Sequence, residues 1–191
     1  MKRLLLALLI GMVLVAPVLG LPSAAGEKTK DVDPLIKDLK DKNSKIRENA
    51  AEALGAINDS RAIGPLIQAL NDTDNMVRMY AAWSLGRLND TRAAEPLIKA
   101  LNDERSGVKA NAARSLGYLK DTQAVGPLIK ALAGEDYMVQ FQAAHALVNI
   151  GAPSLEPLIR ALGDKDGGIR GWAAEALGEL KIGRASCRER V

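Results

Sequence analysis

The sequence predicts an all-α protein, an alpha-alpha superhelix (solenoid) of five stacked helical hairpins of about 31 residues each. The first observation behind this is a repeat: the tripeptide Pro-Leu-Ile begins at Pro34, Pro65, Pro96, Pro127 and Pro157, at spacings of 31, 31, 31 and 30. The second is that the rest of the unit stays in phase. Ile46, Val77, Val108, Val139 and Ile169 align, as do the alanine pairs beginning at Ala50, Ala81, Ala112, Ala143 and Ala173, and Leu54, Leu85, Leu116, Leu147 and Leu177. The third is composition: 48% of the chain is hydrophobic but only 3% aromatic, so the core must be built from Leu, Ile, Val and Ala. A fixed period of this length marks a repeat architecture. One hairpin cannot hide its apolar face alone, whereas stacked neighbours share a continuous core.

Each unit reads as two helices. The first carries Leu66, Ile67 and Leu70 on one face, with Pro65 near its start, where a missing N–H does least harm. Asp59, Asp90 and Asp121 lie a few residues upstream as candidate N-caps of this helix. The second carries Val77, Ala81, Leu85 and Leu88 on one face, with Asp74, Asp136 and Asp166 placed to cap it and its equivalents. Gly86 and its counterparts fall near the end of the second helix, where a small residue lets the next segment approach closely.

The two ends of the chain read differently from the repeats. Residues 1–25 have the form of a signal peptide: Lys2 and Arg3, an uncharged apolar run from Leu4 to Leu21, then Ser23-Ala24-Ala25 as a cleavage site. The mature protein is then expected outside the cytoplasmic membrane, starting near Gly26, with 26–31 a short linker. An uncleaved anchor formed by residues 4–21 is the alternative, since 18 apolar residues just span a bilayer. At the other end, residues 182–191 (IGRASCRERV) fit no repeat. The string ATCGGAAGAGCGTCGTGTAGGGAAAGAGTG encodes them and matches a common short-read sequencing adapter; a natural basic tail is the alternative. With the solenoid ending at residue 181, this segment is expected to be non-native and disordered, and the natural protein to continue with further repeats. Lys2 and Arg3 supply two of the positive charges, and Arg184, Arg188 and Arg190 less Glu189 supply two more. The net +3 therefore becomes −1 for residues 26–181. The basic character is thus no sign of nucleic-acid binding. Cys187, the single cysteine, lies in the discounted tail, so neither a disulfide framework nor a cysteine nucleophile is expected.

A charge ladder runs inside the repeat. Asp41, Asp72, Asp103 and Asp164 share one turn position, and Arg47, Arg78, Lys109 and Arg170 share another six residues later. The fourth repeat has Gly134 and Gln140 there, so both charges are lost together. Acid and base are expected to pair, within a repeat or between neighbours. As exposed pairs they would contribute only about 0–1 kcal/mol, serving register more than stability.

The pattern Pro-Leu-Ile-x-x-Leu, a turn, then Val-Arg-x-x-Ala-Ala-x-Ala-Leu-Gly resembles the HEAT-like repeats of the phycobilisome-lyase family over about residues 32–181. The resemblance is specific for fold and weak for function, because the family includes chromophore lyase subunits, a metal-dependent hydroxylase and many binding scaffolds. The hydroxylase needs His-Glu pairs on its second helices. The matching positions here are Glu48-Asn49, Met79-Tyr80, Ala110-Asn111, Phe141-Gln142 and Gly171-Trp172, so that activity, its metal and any other cofactor are not expected. A lyase or chaperone-type subunit acting on a chromophore-bearing protein stays open as the alternative to a non-enzymatic scaffold.

On a helical wheel the side of the second helix opposite the core holds the positions of Glu48, Glu52 and Ala56. These become Met79, Trp83 and Arg87; Ala110, Arg114 and Tyr118; Phe141, His145 and Asn149; Gly171, Glu175 and Glu179. Tyr80 and Trp172 lie at its edge. Five of the six aromatics therefore fall on or beside one variable face, where the core does not require them. That face, with Met79, Tyr80, Trp83, Arg87, Arg114, Tyr118, Phe141, His145 and Trp172, is the expected binding site for a protein or peptide. Rings that merely pack on one another between repeats are the structural alternative, and an extended glycan is a second ligand class. His145 occupies a variable position and reads as a surface histidine.

Overall fold

The structure, a computed structural model, describes residues 31–188, with side-chain surroundings given as far as Leu180. The proposed signal peptide and most of the linker lie outside the described residues, as do the last three residues of the chain. Ten α-helices follow in five pairs: α1 Val32–Asp38 and α2 Ser44–Ile57; α3 Ile63–Ala69 and α4 Asn75–Leu88; α5 Ala94–Ala100 and α6 Ser106–Leu119; α7 Val125–Ala131 and α8 Tyr137–Ile150; α9 Leu155–Ala161 and α10 Gly167–Arg188. The all-α solenoid of five hairpins is what the repeat dictates.

The capping aspartates act where the sequence places them, with one shift. Asp74 accepts from the Met76 and Val77 amides, Asp136 from Met138 and Val139, and Asp166 from Gly168 and Ile169, each at the start of a second helix. Asp59, Asp90 and Asp121 instead cap a short 3-10 turn that precedes the first helix, accepting from Arg61, Arg92 and Gln123. The turn runs directly into α3, α5 or α7, so these aspartates start the first helix one turn earlier than the Pro-Leu-Ile spacing implies. In α2, α4, α6 and α8 the second helix ends at Asn58, Asn89, Lys120 or Gly151, all with positive φ. Gly151 combines φ 84° with ψ −133°, a conformation that requires glycine.

The fifth repeat departs from expectation. The sequence predicts no order beyond residue 181, whereas α10 continues to Arg188. The stop signals are missing there. Lys181 is followed by Ile182, where Asn58, Asn89 and Lys120 are each followed by an aspartate that caps the next turn. Once a helix exists, each added residue gains a backbone hydrogen bond at little cost.

The core is one strip through the stack. Leu54, Leu85, Leu116 and Leu147 from the second helices and Leu66, Leu97, Leu128 and Leu158 from the first are fully buried. Second helices pack on second helices in a way that explains both the glycine and the alanine pair. A Cβ at Gly55 would overlap Ser84, at Gly86 would overlap Ser115, and at Gly117 would lie 2.8 Å from the Ala146 Cα. The segment these glycines admit is therefore the second helix of the following repeat. Ser84 and Ser115, both buried, donate to the carbonyl oxygens of Ala51 and Ala82 at 2.7 and 2.8 Å. First helices, by contrast, leave grooves of about 300 and 330 Å³ between successive repeats. Close packing on one side and open packing on the other curves the stack toward the second helices, which line its concave side.

The charge ladder pairs between repeats. Arg47 grips Asp72 of the next repeat through Nε and Nη2, both at 2.7 Å, and Arg78 grips Asp103 at 2.7 and 3.0 Å. The remaining nitrogen of each arginine donates within its own repeat, to the carbonyls of Asp41 and Asp72. These pairs are not the exposed ones the sequence suggests: their side chains are only 10–13% accessible. In the fourth repeat Gln140 keeps the intra-repeat half of the job, donating to the carbonyls of Leu132 and Gly134.

Candidate binding face

The second helices carry the candidate residues because their core stripe is narrow. Val77, Ala81 and Leu85 face inward at 0% exposure, which leaves the positions between them on the concave side. Met79, Tyr80 and Trp83 are half-buried there, and Arg87 is exposed. Tyr80 meets Trp83 edge-on, with ring centroids 6.5 Å apart. The Arg87 guanidinium sits 4.9 Å over the Trp83 ring and donates from Nε to the Gly55 carbonyl of the preceding repeat at 3.1 Å. Trp83 is thus held between a ring edge and a cation, a rigid aromatic surface.

A second aromatic group lies two repeats on. Phe141 contacts Trp172 of the fifth repeat edge-on at 6.4 Å and His145 at 4.3 Å. Tyr137 completes it, stacked on Phe141 at 6.0 Å and tilted against Trp172 at 5.5 Å. Tyr137 is the one aromatic not placed on this face by the helical wheel. The available signal is its place four residues before Phe141, which sets both rings on one helix face. Tyr137 is 63% exposed and Tyr118, between the two groups on α6, is 50% exposed.

The candidates are therefore distributed over one side of α4, α6, α8 and α10 as two ring clusters with Tyr118 and Arg114 between them. Arg114 donates from Nη2 to Asn111 at 2.8 Å, while its buried Nε meets no protein acceptor. His145 stands 3.8 Å from Glu179, an ion pair only when the imidazole is protonated. Part of the aromatic packing is of the inter-repeat kind, since Phe141 and Tyr137 both touch Trp172 across α8 and α10. Among the described residues no three His, Cys, Asp or Glu side chains gather closely enough to hold a metal ion.

The repeat profile described as HEAT repeats matches residues 32–109 and 94–178. The chain belongs to the HEAT-repeat family. The phycobilisome-lyase resemblance of its repeats is matched by a solved structure to which this HEAT solenoid is similar, the CpcE and CpcF complex of phycocyanin lyase from Nostoc sp. PCC7120. The identity is 27% and the TM-score 0.65, over 84% of this chain and 68% of that one. An engineered protein matches at 28% identity and TM-score 0.55, over 80% of each chain. A designed armadillo repeat protein in complex with the peptide (KR)4 matches at 22% identity and TM-score 0.57, over 78% of this chain and 81% of that one. That last likeness concerns the fold of the HEAT solenoid alone. No curated protein matches the chain.

Proposed function

We propose that this HEAT solenoid is an exported, non-catalytic scaffold that captures a protein or an extended peptide segment along the concave side of its second helices. The observation that carries the reading is the placement of the rings. The Tyr80–Trp83 pair and the Tyr137–Phe141–Trp172 group stand on the concave side, with Tyr80 and Trp172 resting on the leucine and alanine core and Tyr118 between the two groups. Large, pre-positioned aromatics flanked by arginine are the usual anchors of protein interfaces. Clusters two repeats apart suit a long ligand better than a small one.

The test is affinity capture from an extracytoplasmic fraction, followed by titration of the purified partner. The double variant Trp83→Ala, Phe141→Ala should keep its helical content and lose capture, each ring contributing about 1–2 kcal/mol or more. Unchanged affinity in a folded double variant would reduce the rings to packing. N-terminal sequencing that finds Met1 on a cytoplasmic protein would remove export.

The likeness to the phycocyanin lyase complex supports a second reading, a lyase-type or chaperone-type subunit acting on a chromophore-bearing protein. A partner that carries a bound chromophore, whose absorption changes on mixing, would favour it over the plain scaffold.

A further inference from the structure

The convex side carries a site of a different kind, at the place where the charge ladder breaks. A groove of about 330 Å³ opens between α5 and α7, lined among others by Ile98, Asn102, Lys109, Lys130, Gly134 and Val139. The equivalent groove one repeat earlier, about 300 Å³ between α3 and α5, is lined by the counterpart residues Lys99 and Asp103. In that earlier groove both cations of the motif are neutralised: Arg78 holds Asp103, and Lys99 pairs with Glu95 at 2.8 Å. One repeat later both acids are glycines. Gly134 stands where Asp103 stands, and Gly126 stands where Glu95 stands. Lys109 and Lys130, the counterparts of Arg78 and Lys99, are left lining one groove. Among the described residues neither forms an ion pair or a side-chain hydrogen bond.

The nearby acids are already engaged. Asp103 and Asp136 both feel the charge of Lys109. Asp103, however, is held by Arg78 and the Arg105 amide, and Asp136 by the amides of Met138 and Val139. Glu135 is exposed and lies outside the groove lining. Half-buried Lys109 thus faces a cavity in which the carboxylate of its own repeat pattern is missing.

We propose that this groove is a carboxylate-binding site, in which Lys109 and Lys130 receive the carboxylate that Gly134 has removed from the ladder. Lysine presents three rotatable donors and no fixed fork, so two of them converge on one carboxylate without a preset orientation. Ile98 and Val139 give the groove an apolar wall for a short methylene stem. The carboxylate comes either from a Glu or Asp side chain of a protein partner or from a free small carboxylate. The groove opens between first helices and is closed by Lys109 and Val139 near the starts of α6 and α8; none of its lining residues belongs to the aromatic face.

The test uses the full chain and amide chemical-shift titration with three probes: sodium succinate, acetyl-Glu-Glu-Glu-amide and the neutral acetyl-Gln-Gln-Gln-amide. Saturable shifts at Gly134, Lys130 and Val139 with an acidic probe, and none with the neutral one, are expected. Response to succinate alone assigns the site to free carboxylates; response to the peptide assigns it to acidic side chains. Lys109→Met should weaken binding about fivefold or more, in the range of one charge-assisted contact. Gly134→Asp, which restores the ladder acid beside Lys109, should abolish binding while raising the thermal midpoint. Equal shifts with the neutral peptide, or unaltered binding in both folded variants, would overturn the proposal.

Discussion

At the scale of single residues the ladder shows what a buried ion pair depends on. Burial pushes the Asp103 carboxyl up, but the Arg78 guanidinium, the Arg105 amide and the charges of Arg78 and Lys109 outweigh it and hold it below its ordinary value. Asp72 behaves alike, with Arg47 and the Asp74 amide overcoming burial. A carboxyl lowered on folding contributes stability that is complete above its unfolded pKa, about 3.9. That contribution is lost as pH falls through the folded value. Asp103→Asn keeps the side-chain acceptor and removes the charge. It should cost about 2–3 kcal/mol at pH 7, between the exposed and fully buried cases. The gap to the parent protein should close as pH falls below about 4. Urea midpoints at pH 7 and pH 3 check this, and an unchanged gap would show that the charge plays no part. The acids and bases of this ladder are legible in the sequence, but their partners are not. Arg47 is six residues from Asp41 and 25 from Asp72, yet it is the Asp72 carboxylate that it grips, Asp41 offering only its backbone carbonyl. Only the pitch of the superhelix brings the next turn alongside.

At the scale of the helix, the same sequence signal has two outcomes depending on its neighbour. Gly55, Gly86 and Gly117 are each pressed by the following second helix, whereas a Cβ at Gly178 meets nothing within 4 Å. Gly86→Ala should therefore destabilise by about 1–3 kcal/mol, since Ser115 backbone as well as side chain must shift. Gly178→Ala should stabilise by up to about 1 kcal/mol through helix propensity alone. Thermal melts of the two variants should move in opposite directions, and a parallel shift would refute the packing argument. Helix existence and phase are legible because periodicity reports burial directly. The extension of α10 to Arg188 is not, because an end is read from stop signals and their absence leaves the boundary open.

For the whole molecule, the stack is uneven along its length. The second alanine of the pair is fully or almost fully buried in the first four repeats, as Ala51, Ala82, Ala113 and Ala144, but Ala174 is exposed on α10. Arg170 donates to the carbonyls of Asp164 and Lys165, and among the described residues no carboxylate meets it. The outer side of α10 thus presents the same receptor geometry that accepts a neighbour elsewhere: small residues and an arginine awaiting an aspartate. A sixth hairpin joined after Leu180, with the turn of the second repeat and serine at the position of Ser84, should dock there. Repeat stability sums nearest-neighbour interfaces, so the thermal midpoint should rise by several degrees. A fused hairpin that leaves the midpoint unchanged and its own helices frayed would show that this end is not a receptor.

The sequence by itself determined the fold class, the repeat count, the side of the second helix on which the rings stand and most of the core, Ile46 excepted: in phase with buried Val77 and Val108, it is 39% exposed in the first repeat, which has no preceding hairpin to cover it among the described residues. All of these follow from spacing along a helix of known pitch. It also determined the second-helix caps, which depend on contacts two or three residues away. Tertiary structure decided the rest. It chose Asp72 and Asp103 as the partners of Arg47 and Arg78. It turned Gly86 and Ser115 into a knob and its hole, and it brought Tyr137 onto Trp172. It also gathered Lys109 and Lys130 around Gly134 in one groove. Each of these joins residues some 21 to 35 positions apart in different repeats, Lys130 and Gly134 alone sharing one. Their distance is set by how far one hairpin turns and slides on the next, a quantity that no single repeat encodes.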